Sequence, residues 1–389
     1  MALLKNREVP FSPPVISEDE IQAVVEVLRS GWIGTGPRVQ EFEKKLKEYI
    51  GASNVVALSS CTAALHLSLL TLGVQPGDEV ITTPMTFAAT ANVIVHVGAT
   101  PVFADIDRES WNIDPAEVKK KITKRTKVVM PVHLGGLPCD MDALAQVTRG
   151  TNVRIVEDAA HALGAKYGGK MLGDSDNLVC FSFYPTKNIT SIEGGLVSTS
   201  DPAIAESMRV LRLAGQSSDA WERHTSGKVK SYQVTKAGFK YNMTDVQAAL
   251  GTKQLEKIGA FLKTRENAAK VYLEELKGEK GITLPLENPK NGKRVWHLFS
   301  IILKTETIGM TREQVMEKLS RAGIGTGIHY EAVHMHPYYR EAYKIKPGAL
   351  PVAEYISSRI LSLPMSAALT EDQASYVATT LKSILKRNN

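Results

Sequence analysis

The sequence predicts an α/β protein: a mostly parallel, helix-covered seven-stranded sheet, followed by a smaller C-terminal α+β domain. Two observations carry this. Seven short apolar, β-branched runs recur through the first half: Val55–Leu58, Glu79–Thr83, Pro101–Ile106, Lys127–Val132, Arg154–Glu157, Leu178–Tyr184 and Gly195–Thr199. Most are continuous and not alternating, as expected of strands covered on both faces. Amphipathic segments such as Ala63–Leu72 and Pro115–Ile122 lie between several of them, the arrangement of βα units around a parallel sheet.

The elements follow in order. Ser17 with Glu20 three residues later reads as a capping box opening a helix from 18 to 30, with Ile16 positioned to staple against Ile21. Ile21, Val24, Val25 and Leu28 recur at helical spacing as its buried stripe, and Gly31 stands where a left-handed cap belongs. A turn-rich loop, Trp32 to Pro37, comes next, and then the seven strands. A long helix is expected over 244–276, free of proline, bridging to the remainder. That remainder reads as strand 296–303, helix 311–322, strand 325–329, and helices near 351–361 and 370–386. The expected domains are 1–245, a linker helix at 246–284, and 285–389.

With 43% hydrophobic and 23% charged residues, the 389-residue chain has the balance of a soluble globular protein. Three widely spaced cysteines, Cys61, Cys139 and Cys180, make neither a disulfide framework nor a thiolate zinc site, and point to a reducing cytoplasm. No run approaches the roughly 18 apolar residues of a membrane span. The amino terminus turns charged too early for a signal peptide. The net charge of +6 is dispersed and interleaved with acids, so nucleic acid is not expected as a partner. An anionic small molecule suits a basic balance equally well.

Parallel sheets bind ligands at the carboxyl ends of their strands. Ser59-Ser60-Cys61-Thr62-Ala63 follows the first strand and opens a helix, a junction that suits an anion, although an ordinary N-cap by Ser60 or Thr62 uses the same residues. Phe87, after the second strand, is placed either to stack on a planar ligand or to join the core. Asp158 ends the fifth strand, where a carboxylate is costly without a cation or a donor. His161 follows three residues on, and a capping Asp with a solvated His is the structural alternative. Lys187 is carried in after the apolar run Cys180–Tyr184, close to the pair Gly194-Gly195. Desolvation lowers a lysine pKa, and a neutral amine attacks carbonyls. A lysine, a carboxylate, an anion site and a ring stacker on one sheet edge together suit pyridoxal phosphate. Two competing patterns fail. Gly34-Thr35-Gly36 starts like a dinucleotide fingerprint, but Val39 takes the third glycine position. His329, His334 and His336 lack acidic or thiolate company, so no metal is expected.

These residues resemble the DegT/StrS-type family of pyridoxal phosphate-dependent nucleotide-sugar aminotransferases, of aspartate-aminotransferase-like (fold-type I) architecture. The likeness covers nearly the whole chain, through Ser30–Pro37, Ser59–His66, Gly77–Thr82, Glu157–Gly164, Phe181–Gly195 and Tyr241–Gly251. Gly238–Asp245 and Gly323–Tyr330 are most similar to the aminotransferases that convert a UDP-4-keto-pentose to UDP-4-amino-4-deoxy-L-arabinose. Ser60–Leu65 and Asn112–Pro115 are similar to spore-coat polysaccharide aminotransferases. The resemblance implies that Lys187 is the Schiff-base lysine, Asp158 the partner of the ring nitrogen, and His161 the neighbour of the ring hydroxyl. It further implies phosphate contacts from Thr62, Ala63 and Ser182, stacking by Phe87, and a phosphate contact by Asn242 in the neighbouring subunit of a homodimer. Thr35, His329 and Tyr330 are the implied substrate contacts. The expected reaction moves an amino group from L-glutamate, released as 2-oxoglutarate, to the 4-keto position of a nucleotide-linked sugar. A 4-keto-6-deoxyhexose is the alternative acceptor; a non-catalytic binding protein, and another reaction such as elimination on an amino acid, are alternatives of other classes. Lys187 argues against the dehydratase branch, where His replaces it. Cys61 stands where many relatives have Gly or Ala.

Overall fold

A computed structural model describes residues 8–216 and 233–386. Residues 1–7, 217–232 and 387–389 of the expected domain ranges lie outside the described residues. The chain begins with α1 (Glu18–Ser30), α2 (Pro37–Ile50), β1 (Asn54–Leu58), α3 (Cys61–Thr71), β2 (Glu79–Thr82), α4 (Ala88–His96) and β3 (Thr100–Phe103). It continues with α5 (Pro115–Lys121), β4 (Thr126–Met130), α6 (Met141–Thr148), β5 (Arg154–Asp158), the short β6 (Lys166–Tyr167) and β7 (Lys170–Met171), β8 (Leu178–Ser182), β9 (Gly195–Thr199) and α7 (Pro202–Arg212).

All seven expected strands meet in one sheet of order β1-β9-β8-β5-β4-β2-β3. β2, β3, β4, β5 and β8 pair in parallel, and β9 runs antiparallel to both β1 and β8. The continuous apolar runs have the expected cause. Val55, Ala57, Val179, Phe181 and Leu196 enter the hydrophobic cluster on one face, and Val56, Leu58, Leu178, Cys180 and Val197 enter the cluster on the other. The carboxyl ends of β1, β2, β5 and β8 therefore share an edge, and the antiparallel β9 starts there at Gly195.

The helical stretch after Thr244 is two helices, α8 (Asp245–Glu256) and α9 (Ile258–Glu275), which part at Lys257. The remaining elements are β10 (Ile282–Thr283), β11 (Gly292–Lys293), β12 (Phe299–Leu303), α10 (Thr305–Ile308), α11 (Arg312–Arg321), α12 (Pro337–Ala342), α13 (Pro351–Ser357), β13 (Ile360–Leu363) and α14 (Glu371–Lys386). β10, β12 and β13 form an antiparallel sheet whose core includes Tyr272 of α9, Leu319 of α11 and Leu381 of α14. The strand expected at 325–329 is absent; the segment makes single bridges, Val9 with Ile324 and Gly327 with Ser362. The third strand is β13, which begins in the last two residues of the helix expected near 351–361 and runs beyond it.

The first helix corrects its expected stripe. Val27 is its buried apolar residue, while Ile21 and Leu28 are 48% and 55% exposed and Ile16 also faces out, so the staple does not form a buried contact. The buried anchor is polar. Glu20 accepts from the backbone N–H (3.0 Å) and hydroxyl (2.5 Å) of Ser17, from Gln254 (2.9 Å) and from Lys257 (2.9 Å). Burial pushes its carboxyl up, but these donors prevail and hold it near a pKa of about 2.

Candidate active site

The strand-end residues converge on one cavity of about 820 Å³. Thr62, Phe87, Asp158, His161, Ser182, Lys187, His329 and Tyr330 all line it. Ala63 does not; it is buried one residue deeper, its N–H donating to the Ser60 hydroxyl that caps α3 (3.1 Å). Thr35 and Asn242 also lie outside the lining and bond to each other, the Asn242 amide donating to the Thr35 hydroxyl at 2.7 Å while that hydroxyl donates to the Met243 carbonyl at 2.6 Å. The glycines around Thr35 serve the fold. Asp245 accepts from the N–H groups of Gly36 (2.8 Å), Arg38 (3.2 Å) and Val39 (3.1 Å), capping α2 from a distant part of the chain.

One end of the cavity is built for an anion. The first turn of α3, with Ser60, Cys61 and Thr62, lines the cavity together with Ser182, so free N–H groups and hydroxyls are available to an anion. Gly195 makes this approach possible: a Cβ on it would lie 2.3 Å from the Ser60 carbonyl carbon and 2.5 Å from the Cys61 nitrogen. Cys61 remains a thiol, its pKa raised well above the usual value by burial and then by Asp158.

Asp158 lies on the cavity floor. Thr90 donates to its Oδ2 at 2.7 Å and the Ala160 N–H to its Oδ1 at 3.1 Å. A threonine hydroxyl has a single proton. With that of Thr90 directed to Asp158, the 2.7 Å contact between Thr86 and Thr90 must be a donation from Thr86. Both threonines are buried, so the chain of donors has one direction and ends on a carboxylate. Burial raises the Asp158 pKa; Thr90, Ala160 and Lys187 act against that rise.

Lys187 is half-buried beside it. Desolvation is the main cause of a pKa lowered to about 8, opposed chiefly by Asp158. Three imidazoles complete this wall. His161 is fixed by a donation from the Gly135 N–H to its Nδ1 (3.2 Å), which leaves the proton of the neutral ring on Nε2, 3.1 Å from the Tyr330 hydroxyl oxygen. Nε2–H therefore donates to Tyr330, whose own proton is free to point elsewhere. His297 lies 4.3 Å from His161 ring to ring, and Phe11 stacks on His329 at 5.3 Å. Burial, first, and then Lys187 depress His161 and hold His329 at about 4, and His297 is depressed by burial and then by His161, so all three are neutral at pH 7. Phe87 is 64% exposed at the rim, 6.3 Å from the Tyr330 ring.

Thr86, Thr90, His297, Phe11 and Ser12 were not expected at the site. The two threonines had a legible signal, since four residues separate them across a helix start and place them on one face. Phe11 and His297 had none, because chain distant from the sheet delivers them.

The residues present fit pyridoxal phosphate by the chemistry of their groups: an anion cradle, a carboxylate held as an acceptor, and an amine of lowered pKa share one cavity. The comparisons agree. The model of the DegT/DnrJ/EryC1/StrS aminotransferase family matches residues 14–382, and the chain belongs to that family. It is a pyridoxal phosphate-dependent aminotransferase of the sugar aminotransferase type, with a fold-type I sheet. The spore coat polysaccharide biosynthesis protein SpsC of Bacillus subtilis is 42% identical over 99% of both chains. Spr1654 of Streptococcus pneumoniae, solved in a pyridoxal phosphate form, has a TM-score of 0.90 at 33% identity, covering 98% of this chain and all of its own. PseC of Helicobacter pylori, an aminotransferase of pseudoaminic acid biosynthesis, gives 0.90 at 29% identity over 98% and 100%.

Proposed function

We propose that this enzyme transfers the amino group of L-glutamate to the 4-keto carbon of a nucleotide-linked sugar, with UDP-4-keto-pentose as the acceptor of first choice. The observation that carries the reading is Lys187 beside Asp158, the one with a pKa lowered to about 8 and the other held as a hydrogen-bond acceptor. Bound pyridoxal phosphate supplies an aldehyde that carries the amino group and a ring that takes up charge from the reacting carbon. Asp158 keeps a proton on the ring nitrogen, and that proton makes the ring an effective acceptor. Lys187, once its amine is free, takes a proton from the α-carbon of glutamate and later returns one to the carbon that bears the new amine. The α3 N-terminus, Thr62 and Ser182 bind the phosphate, Phe87 covers the ring, and His161 orients the ring hydroxyl. His329 and Tyr330 contact the sugar, the hydroxyl proton of Tyr330 serving as a donor.

The reading includes a homodimer in a reducing cytoplasm, with residues 1–245 as the cofactor domain, 246–284 as linker and 285–389 as the small domain. Two features support the dimer. Ile16, Ile21, Leu28 and Ile33 leave exposed apolar side chains on and beside α1. Thr35 and Asn242 bond together away from this chain's own cavity, a placement suited to the partner's phosphate and sugar. Three buried free cysteines suit the compartment. A nucleotide-linked 4-keto-6-deoxyhexose is the second acceptor, favoured by the 42% identity to SpsC.

The test is the visible spectrum of the purified protein with pyridoxal phosphate. Glutamate should convert it to the pyridoxamine form, and UDP-4-keto-pentose should restore it. Conversion without restoration transfers the assignment to the hexose; a protein that takes up no cofactor overturns the reading.

A further inference from the structure

Arg265 on α9 is fully buried, at 2% exposure, and its guanidinium is spent on backbone. Nη1 donates to the carbonyls of Trp296 (3.4 Å), His297 (3.2 Å) and Met365 (3.2 Å), and Nη2 to those of Thr186 (3.3 Å) and Lys187 (3.5 Å). Its Nε has no partner. No carboxylate contributes to its state: burial alone pulls its pKa down, to about 10, which leaves it charged at neutral pH. A buried cation without an ion-pair partner is expensive, and an aliphatic side chain would fill the same volume without that cost. Two of its five donations reach the peptide that carries Lys187, and the other three tie that peptide to the segments around 296 and 365. The Ser12 hydroxyl donates to the Met365 carbonyl at 2.9 Å and lies 3.5 Å from that of Thr186, so the same two segments meet beside the lysine loop.

The groups facing the Lys187 amine can be enumerated. Asp158 from β5 and Cys61 from α3 favour its protonated form, and Cys61 is an uncharged thiol. His161 after β5, His297 before β12 and His329 from the 323–330 segment are neutral, Tyr330 keeps its proton, and Glu193 lines the cavity as a second carboxylate. Among these described groups Arg265 is the cation.

We propose that Arg265 is a positioning residue for Lys187: its planar fork fixes the lysine's backbone against α9 and the two segments around 296 and 365, and its unpaired charge opposes protonation of the amine. Asp158 then serves the cofactor without converting its neighbour into a permanent ammonium. This rests on the reading of Lys187 as the residue that carries the cofactor. The amine's lowered pKa, about 8, is in the same direction; burial is its main cause and Arg265 adds a smaller effect of the same sign.

The test is competitive labelling of the full-length protein, freed of cofactor, with trace acetic anhydride across a pH series, the Lys187 peptide being read by mass spectrometry. Wild type should give a midpoint near 8. Arg265→Gln should move it to a reproducibly higher pH, since a nearby like charge has been removed. Arg265→Lys keeps the charge and loses the fork, so it should retain the wild-type midpoint while kcat falls more than tenfold with KM nearly unchanged. A Gln midpoint equal to wild type, or a Lys midpoint displaced as far as that of Gln, refutes the charge effect. If Arg265→Gln does not fold, Arg265→Met takes its place; failure of both neutral variants while Arg265→Lys folds would make Arg265 a stability residue and overturn the proposal. A separate arm adds pyridoxal phosphate and borohydride to wild type. Trapping on no lysine there refutes the proposed function itself, independently of any Arg265 result.

Discussion

Thr90→Val is the sharpest perturbation the site offers, because it removes one proton donor and leaves the shape nearly unchanged. Thr90 gives Asp158 its 2.7 Å hydrogen bond, and Thr86 supports Thr90 at the same distance. A hydrogen bond to a charged group contributes about 1.5–3 kcal/mol. Losing it favours the protonated form of Asp158 by that amount, a change of roughly ten- to a hundred-fold in the protonation equilibrium. The sign follows from the existing balance: burial already raises the Asp158 pKa, and Thr90 acts against it, so the variant is raised further. A carboxyl protonated at neutral pH cannot hold a proton on the ring nitrogen. The assay is kcat against pH, with pyridoxal phosphate affinity measured by titration in parallel. The acid limb should move toward alkaline pH, cofactor binding should weaken, and Thr90→Ser should restore both. An unmoved acid limb with kcat within twofold of wild type would refute the directional donor chain.

Four further outcomes are expected. Lys187→Ala should lose turnover by several orders of magnitude and lose borohydride-trapped cofactor, read by intact-mass spectrometry; normal turnover would remove it from the mechanism. Gly195→Ala must displace the Ser60–Cys61 backbone, so it should cost about 1–3 kcal/mol in denaturant unfolding and weaken phosphate binding more than a conservative change elsewhere in β9. Glu20 has a folded-state pKa near 2, well below its unfolded value, so its contribution is present above about pH 4.5 and is lost as pH falls toward 2. Glu20→Gln should therefore lower stability by about 2 kcal/mol at pH 7 and by little at pH 2, measured by chemical denaturation at both. Leu28→Asp places a charge on the exposed apolar face of α1, and should shift the protein to monomer in sedimentation with loss of activity; an active monomer would sink the shared-site reading.

Much of the sheet was legible because its strands are buried on both faces. Such strands carry uninterrupted apolar runs, and the residues just past each run are the ones a parallel sheet turns toward a ligand. That is why Thr62, Phe87, Asp158 and Lys187 could be named from local sequence, whereas Ser182 came only with the family resemblance. The same reasoning failed for α1, where Ile21 and Leu28 fit a helical stripe yet remain exposed, and the buried anchor is Glu20. Apolar periodicity reports a face that seeks cover and does not report what covers it. It failed also at β13, where Ile360–Leu363 is too short to separate from the end of a helix.

The sequence by itself determined the fold class, the edge on which chemistry would collect, and the cofactor those residues suit. Each follows from neighbours in the chain: an apolar run, the residue that ends it, the glycine that lets backbone approach. The tertiary structure decided how these groups are tuned. Thr90 reaches Asp158 across 68 residues, Arg265 reaches Lys187 across 78, Tyr330 reaches His161 across 169, and Asp245 caps α2 across more than 200. A hydrogen bond between distant residues leaves no period or spacing in the sequence. Which donor meets which acceptor is set only when packing brings the segments together and burial makes an unmet polar group costly.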